Sequence, residues 1–202
     1  MILFRPVGLE ELGLIHDLNF QGFPPRLPEQ PIFYPVLNSD YAEQIARDWN
    51  TKSNSFAGYV TRFSVEDRYV SKFDRHIVGS SKHEELWVPA EELDNFNKHI
   101  ESVISVDSAF FGDGFVGFIP DKFGLVGKTA LEQLQSLSVT LDYSSFDFCM
   151  EIFANAKAIF LNYHFWEKVD PSAVNLSSDE KDKLLKAIRD AWEMRKSEIS
   201  LI

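Results

Sequence analysis

The chain carries a single cysteine, Cys149, among 202 residues, so no internal disulfide can form and nothing calls for an oxidising compartment. A reduced, cytoplasmic setting is the expectation. Basic residues are scarce too: 20 Lys and Arg stand against 31 Asp and Glu, for a net charge of −11. Binding to a phosphate backbone rests on a basic face that releases counterions, so the balance argues against nucleic acid as the main partner. A small, locally basic pocket remains compatible with it. No stretch approaches the roughly 18 uncharged apolar residues of a membrane span. The opening Met-Ile-Leu-Phe run is too short for a signal peptide before it meets Glu10 and Glu11.

What is present suits a globular chain: 45% apolar residues, 14% aromatics and 18 Phe supply a sizeable core. Acidic excess marks no boundary, since residues 1–106 hold ten basic and sixteen acidic side chains and residues 107–202 ten and fifteen. Texture does. Residues 1–106 alternate short apolar bursts with turn residues, including five of the nine prolines between Pro24 and Pro35. From about Gly127 onward the pattern is helical. Strands are predicted at 2–4, 32–37 (interrupted by Pro35), 56–65, 85–88 and 103–106, with helices at 9–18, 38–49, 66–73 and 90–98 around a polar loop at 79–82. In the remainder, a turn-rich stretch from Phe110 to Gly114 precedes helices at 128–139, 145–169 and 177–197. Ser177 and Glu180 form the S-x-x-E capping box, and Pro171 stops the helix before it. The predicted class is α+β: a curled, mixed or antiparallel sheet of short strands in 1–106, with a mainly helical extension, 107–202, packed on it.

The usual chemical motifs fail. Gly127-Lys128-Thr129 resembles the end of a phosphate loop, but the first glycine of that loop would fall on Lys122. The five histidines show no i, i+4 pair and no Cys partner, so no metal site is expected. Asp113 between two glycines lacks the acidic ladder of a calcium loop. Lys181, Lys183, Lys186 and Arg189 interleave with acids on one solvated helical face. What remains is a constellation at predicted strand ends: Arg5, Tyr34 and Glu85. A cation to grip a pyrophosphate, an aromatic to stack on a planar ring and a carboxylate to stabilise an oxocarbenium-like ribosyl cation are the groups needed to break a nicotinamide–ribose bond. Each also has a structural alternative. Arg5 would pair with the helix holding Glu10 and Glu11, Tyr34 would belong to the core, and Glu85 would be an exposed strand residue.

Three runs carry a resemblance. Ile-Phe-Tyr-Pro-Val-Leu-Asn-Ser-Asp-Tyr-Ala-Glu-Gln-Ile-Ala-Arg-Asp-Trp (32–49), Leu-Phe-Arg-Pro-Val-Gly (3–8) and His-Glu-Glu-Leu-Trp-Val-Pro (83–89) look like the strand–loop–helix, the opening strand and the Glu-bearing strand of ADP-ribosyltransferase-like proteins. Residues 3–106 resemble, more narrowly, a group of small bacterial proteins labelled ADP-ribosylation/crystallin J1. The resemblance implies transfer of ADP-ribose from NAD, with Arg5 holding the dinucleotide, Tyr34 stacking on nicotinamide and Glu85 stabilising the ribosyl cation. His83, two before Glu85, would orient substrate or sit on a surface loop, and Thr61 stands at a faint echo of the Ser-Thr-Ser strand motif of the arginine-type subfamily. A different class is also open: a non-enzymatic interaction protein, of immunity or antitoxin type, whose acids Glu84, Glu85, Glu91 and Glu92 meet a basic partner. A degenerate transferase fold that only binds nucleotide is the third reading.

Overall fold

Strand β1 (Ile2–Val7) alternates buried Leu3, Arg5 and Val7 with less buried neighbours and runs through Pro6. It pairs antiparallel with β3 (Ala57–Ser64), which also pairs with β6 (Ser105–Phe111). Pro6 is tolerated because the free side of β1 is bonded only at Phe4, whose N–H and carbonyl exchange hydrogen bonds with Val36 (2.9 and 2.8 Å). The missing Pro6 N–H would have pointed to that same side, beyond the bridge. A computed structural model gives this architecture and describes residues 1–79, 83–196 and 198–201. Ser80, Ser81 and Lys82 of the polar loop, and Ser197 at the predicted end of the last helix, lie outside the described residues.

The chain is mixed α+β, 47% helical and 18% strand, with two small open antiparallel sheets. The second sheet places β5 (Glu84–Pro89) between β2 (Ile32–Phe33) and β4 (Asp74–Ile77). Pro35 cuts β2 short, yet the strand direction continues: the Pro35 carbonyl accepts from Leu86 N–H (2.9 Å) and Leu37 N–H donates to Glu84 (3.0 Å). Val36 bridges Phe4 on one side and Glu85 on the other, which joins the two sheets. β4 carries no apolar alternation in Asp-Arg-His-Ile, and the sequence gives no sign of it.

Two compact units make up the chain, Met1–Asp113 and Gly114–Ile202. The first extends beyond residue 106 because β6 continues to Phe111 along β3, through residues that read as a turn in the sequence. In this unit, α1 (Leu9–Asp17) buries Leu9, Leu12 and Ile15, and Phe23, Phe33, Phe63 and Phe96 form an aromatic cluster with ring centroids 4.8–6.3 Å apart. Helix α2 (Ser39–Asp48) starts where the Asn38 side chain accepts from Tyr41 N–H (3.2 Å) and packs Tyr41, Ala42 and Ala46 against Val36, Val60 and Phe4. Its approach is close enough that a Cβ on Gly58 would fall 2.1 Å from the Ala46 carbonyl oxygen, so only glycine fits there. Short helices α3 (Asp67–Val70) and α4 (Leu93–Asn97) complete the unit.

In the second unit, α5 (Ala130–Tyr143) begins at a Thr129–Glu132 capping box, and α8 (Ser178–Lys196) at the Ser177–Glu180 box that its S-x-x-E pattern predicts. The single long helix expected over 145–169 is instead two, α6 (Ser145–Ala154) and α7 (Ala156–Lys168). Asn155 breaks it: its amide turns back to donate to the Glu151 carbonyl (3.0 Å) and carboxylate (2.7 Å). The expectation that this stretch is buried on most sides holds for α7, whereas α6 exposes Phe146 and Met150. Lys181, read as part of a solvated face, is buried and donates to the carbonyls of Glu167 and Val169 at the end of α7. Burial lowers its pKa. No helix among the described residues is long and apolar enough to cross a membrane.

Candidate functional site

Directly paired residues of an antiparallel ladder share a face, and neighbours along a strand alternate. The Phe4–Val36–Glu85 bridges therefore place Glu85 on the face that α2 covers at Val36. Trp87, two residues on in β5, and Tyr34, beyond Phe33 in the β2 register, lie on that same face, as does His76, paired with Glu85. The side chains meet: Tyr34 packs edge-on against Trp87 (5.7 Å) and His76 stacks on Trp87 (4.0 Å, 27°). Trp87 is 37% exposed, so this aromatic surface reaches solvent.

At its edge stands Glu85. The Tyr41 hydroxyl donates to Glu85 Oε1 at 2.9 Å, and His83 stacks on the Tyr41 ring (4.1 Å, 13°) while its Nδ1 donates to the Val78 carbonyl (3.1 Å). Burial, reinforced by the bond to Glu85, pushes the Tyr41 phenol up to about 12, so it stays a donor across ordinary pH. Glu85 is thus held as an oriented carboxylate beside a planar aromatic surface.

Arg5 and Thr61 are elsewhere. They pair across β1 and β3 on the opposite face from Phe4, with Thr61 Oγ1 donating to the Arg5 carbonyl (2.9 Å). The Arg5 side chain, only 9% exposed, spends its donors internally: Nε and Nη2 on Glu11 (2.7 and 3.2 Å) and Nη1 on the Tyr34 carbonyl (3.3 Å), with the guanidinium over the Phe33 ring (4.6 Å). Of the five residues singled out in the sequence, the structure joins Glu85 and His83 through Tyr41 and sets Tyr34 on the same face, against Trp87. Arg5 reaches them only through the Tyr34 backbone, in the pairing with Glu11 that the sequence left open. Thr61 is fully buried and bonded to backbone.

The sequence reading missed Tyr41, Trp87 and His76. Trp87 was within reach, since Glu85-Leu86-Trp87 alternates and puts both outer residues on one face. Tyr41 reads as an apolar helix residue, and His76 lies on the strand that was not predicted. The acids offered for a basic partner are largely engaged: Glu84 pairs with Arg75 (3.7 Å), Glu85 with Tyr41, and Glu92 with Lys72 (2.9 Å) and Tyr69 (3.2 Å). Among the described residues no three His, Cys, Asp or Glu side chains form a metal-ligand group. In comparisons with protein-family models, curated proteins and solved structures, nothing matches this chain.

Proposed function

We propose that the first unit binds NAD and transfers ADP-ribose from it, as an ADP-ribosyltransferase-like module. The observation that carries this reading is the Glu85 carboxylate, fixed by Tyr41 at 2.9 Å beside the open Tyr34–Trp87–His76 surface. The nicotinamide ring stacks on that surface. As its bond to the ribose C1′ breaks, the electron pair leaves with nicotinamide and positive charge grows on the ribose, where Glu85 stabilises it. The acceptor's nucleophile then bonds to C1′ and loses its proton. Arg5 acts as a positioning residue through the Tyr34 carbonyl, and His83 supports the Tyr41 ring. A docking role toward a basic partner draws less support, because Glu84, Glu85 and Glu92 are already paired within the chain.

Calorimetry with millimolar NAD tests the reading. Binding with slow nicotinamide release is expected, and Glu85→Gln abolishes release while the circular dichroism spectrum stays unchanged. Absence of NAD binding at that concentration overturns it.

A further inference from the structure

The first sheet carries a cleft that the aromatic surface does not share. Directly paired residues lie on one face, so Ile2 with Ser64, and Phe4 with Arg62 and Ser105, stand on the same side of β1, β3 and β6. Helix α2 covers that side at Val60, which is fully buried, and leaves it open two residues on, where Arg62 is exposed. At this open end lies a cleft of about 330 Å³, within the roughly 300–1,000 Å³ of small-molecule sites. Ile2, Arg62, Ser64 and Ser105 line it from the sheet, and Ser102 and Val103 from the segment leading into β6. Their common face means that side chains, not only backbone, meet the cleft. Phe63, between Arg62 and Ser64, turns the other way into the aromatic cluster.

The lining offers donors and lacks acceptors for them. None of the described residues around the cleft is acidic, in a chain with 31 Asp and Glu and a net charge of −11. Among the described residues the Arg62 side chain makes no ion pair or hydrogen bond, while its carbonyl accepts from Ser105 Oγ (3.4 Å). Ser102 Oγ accepts from Ser64 N–H (2.9 Å), which fixes that hydroxyl and leaves its proton to donate. A guanidinium fork beside such a hydroxyl suits the two oxygens of a carboxylate. Ile2 (49% exposed) and Val103 (41%) bring apolar surface to the same cleft, which a hydrocarbon group covers favourably. One cation balances one negative charge. A monocarboxylate therefore fits where a doubly charged phosphate would leave an excess in an already acidic chain.

We propose that this cleft binds a small organic acid with one carboxylate on an apolar body, Arg62 gripping the carboxylate and Ile2 and Val103 lying against the hydrocarbon. The cleft shares no residue with the aromatic surface, and its occupancy does not depend on the NAD reading. Titration of the full chain with benzoate, followed through its amide resonances, tests it. Benzoate is expected to shift the amides around Arg62, Ser64 and Ser105, with an affinity that falls as salt rises. Benzamide, which lacks the charge, and acetate, which lacks the ring, should each bind about tenfold more weakly or worse, and Arg62→Gln should weaken benzoate by a similar factor. Arg62→Lys keeps the charge without the fork and recovers part of the loss. Thermal melts of both variants should match wild type, because Arg62 is exposed and its side chain bonds to no described residue. The assignment is overturned by no benzoate binding at about 10 mM, by equal binding of benzamide, of acetate or to Arg62→Gln, or by shifts centred on Tyr34 and Trp87 instead. Tighter binding of inorganic phosphate overturns the carboxylate as ligand. Benzoate binding without NAD binding supports this site and removes the transferase reading; NAD binding without benzoate binding does the reverse.

Discussion

Each unit buries a polar cluster, and the two clusters are built on opposite terms. In the second unit it is neutral and closed. The Asn162 amide donates to the Phe118 carbonyl (3.0 Å) and to Gln133 Oε1 (2.9 Å), its Oδ1 accepts from Phe118 N–H (2.8 Å), and Gln133 donates to the carbonyls of Phe118 and Lys128 (2.8 and 2.7 Å). In the first unit it is ionic and open: Arg5 and Arg26 on one Glu11, with Arg26 Nε unpartnered. Amides that saturate one another fix a loop against helices and need nothing from outside. A charged cluster with a donor left over offsets part of its own attraction, since an unpaired buried donor costs stability.

The sharpest way to break the contrast is Asn162→Leu. It strands the Phe118 N–H and the Gln133 side-chain carbonyl in the interior, so denaturant unfolding should show a loss of about 2–5 kcal/mol and hydrogen exchange a newly unprotected Phe118 amide. A loss below about 1 kcal/mol would mean water or rearrangement replaces the network. Next comes Glu11→Gln, which leaves two guanidiniums without their counter-charge and is expected to cost about 1–3 kcal/mol. Arg26→Gln should be close to neutral in the same assay, because among the described residues Arg26 makes no hydrogen bond and only a long ion pair with Glu11 (3.8 Å). If both substitutions cost the same, Arg26 is structural and the two clusters are alike in kind.

At Tyr41 the effect is confined to high pH. Its folded-state pKa is raised from 10.0 to about 12, so the folded state holds the phenolic proton more tightly than the unfolded chain. The stability this gives is complete below about pH 10 and fades as pH climbs toward about 12. Tyr163 is also raised to about 12, so the informative quantity is the difference between wild type and Tyr41→Phe in melting temperature across pH 9 to 12. That difference should shrink over the upper part of the range, and a flat difference would show that the Tyr41–Glu85 bond contributes nothing there.

Much of the fold was legible because its signals are local. Asn38 before an apolar face, Ser177 with Glu180, and Pro35 inside a strand each act on the backbone within a few residues, and each does in the structure what its chemistry dictates. The exceptions have non-local causes. β4 is a strand because β5 offers it a ladder, β6 runs on to Phe111 because β3 does, and α6 parts from α7 through one amide that chooses its own preceding turn. For the site, Glu85 and Tyr34 could be picked out by type, but their companions could not, since Tyr41 and His76 are brought in by packing and pairing. Arg26 sits in a proline-rich loop with no periodicity to read.

The sequence by itself determined the acidic, cysteine-poor composition, most of the helices, the caps at Asn38 and Ser177, and the alternation of the strands it announced. Only the tertiary structure decided which side each strand shows to which neighbour. Alternation sets Phe4 and Arg5 on opposite faces without saying which one Glu85 shares, and a slip of one residue exchanges them. The Val36 bridges lock that choice through hydrogen bonds between segments some 30 and 50 residues apart. They send Arg5 to Glu11 and leave Glu85 with Tyr41 and the aromatic surface.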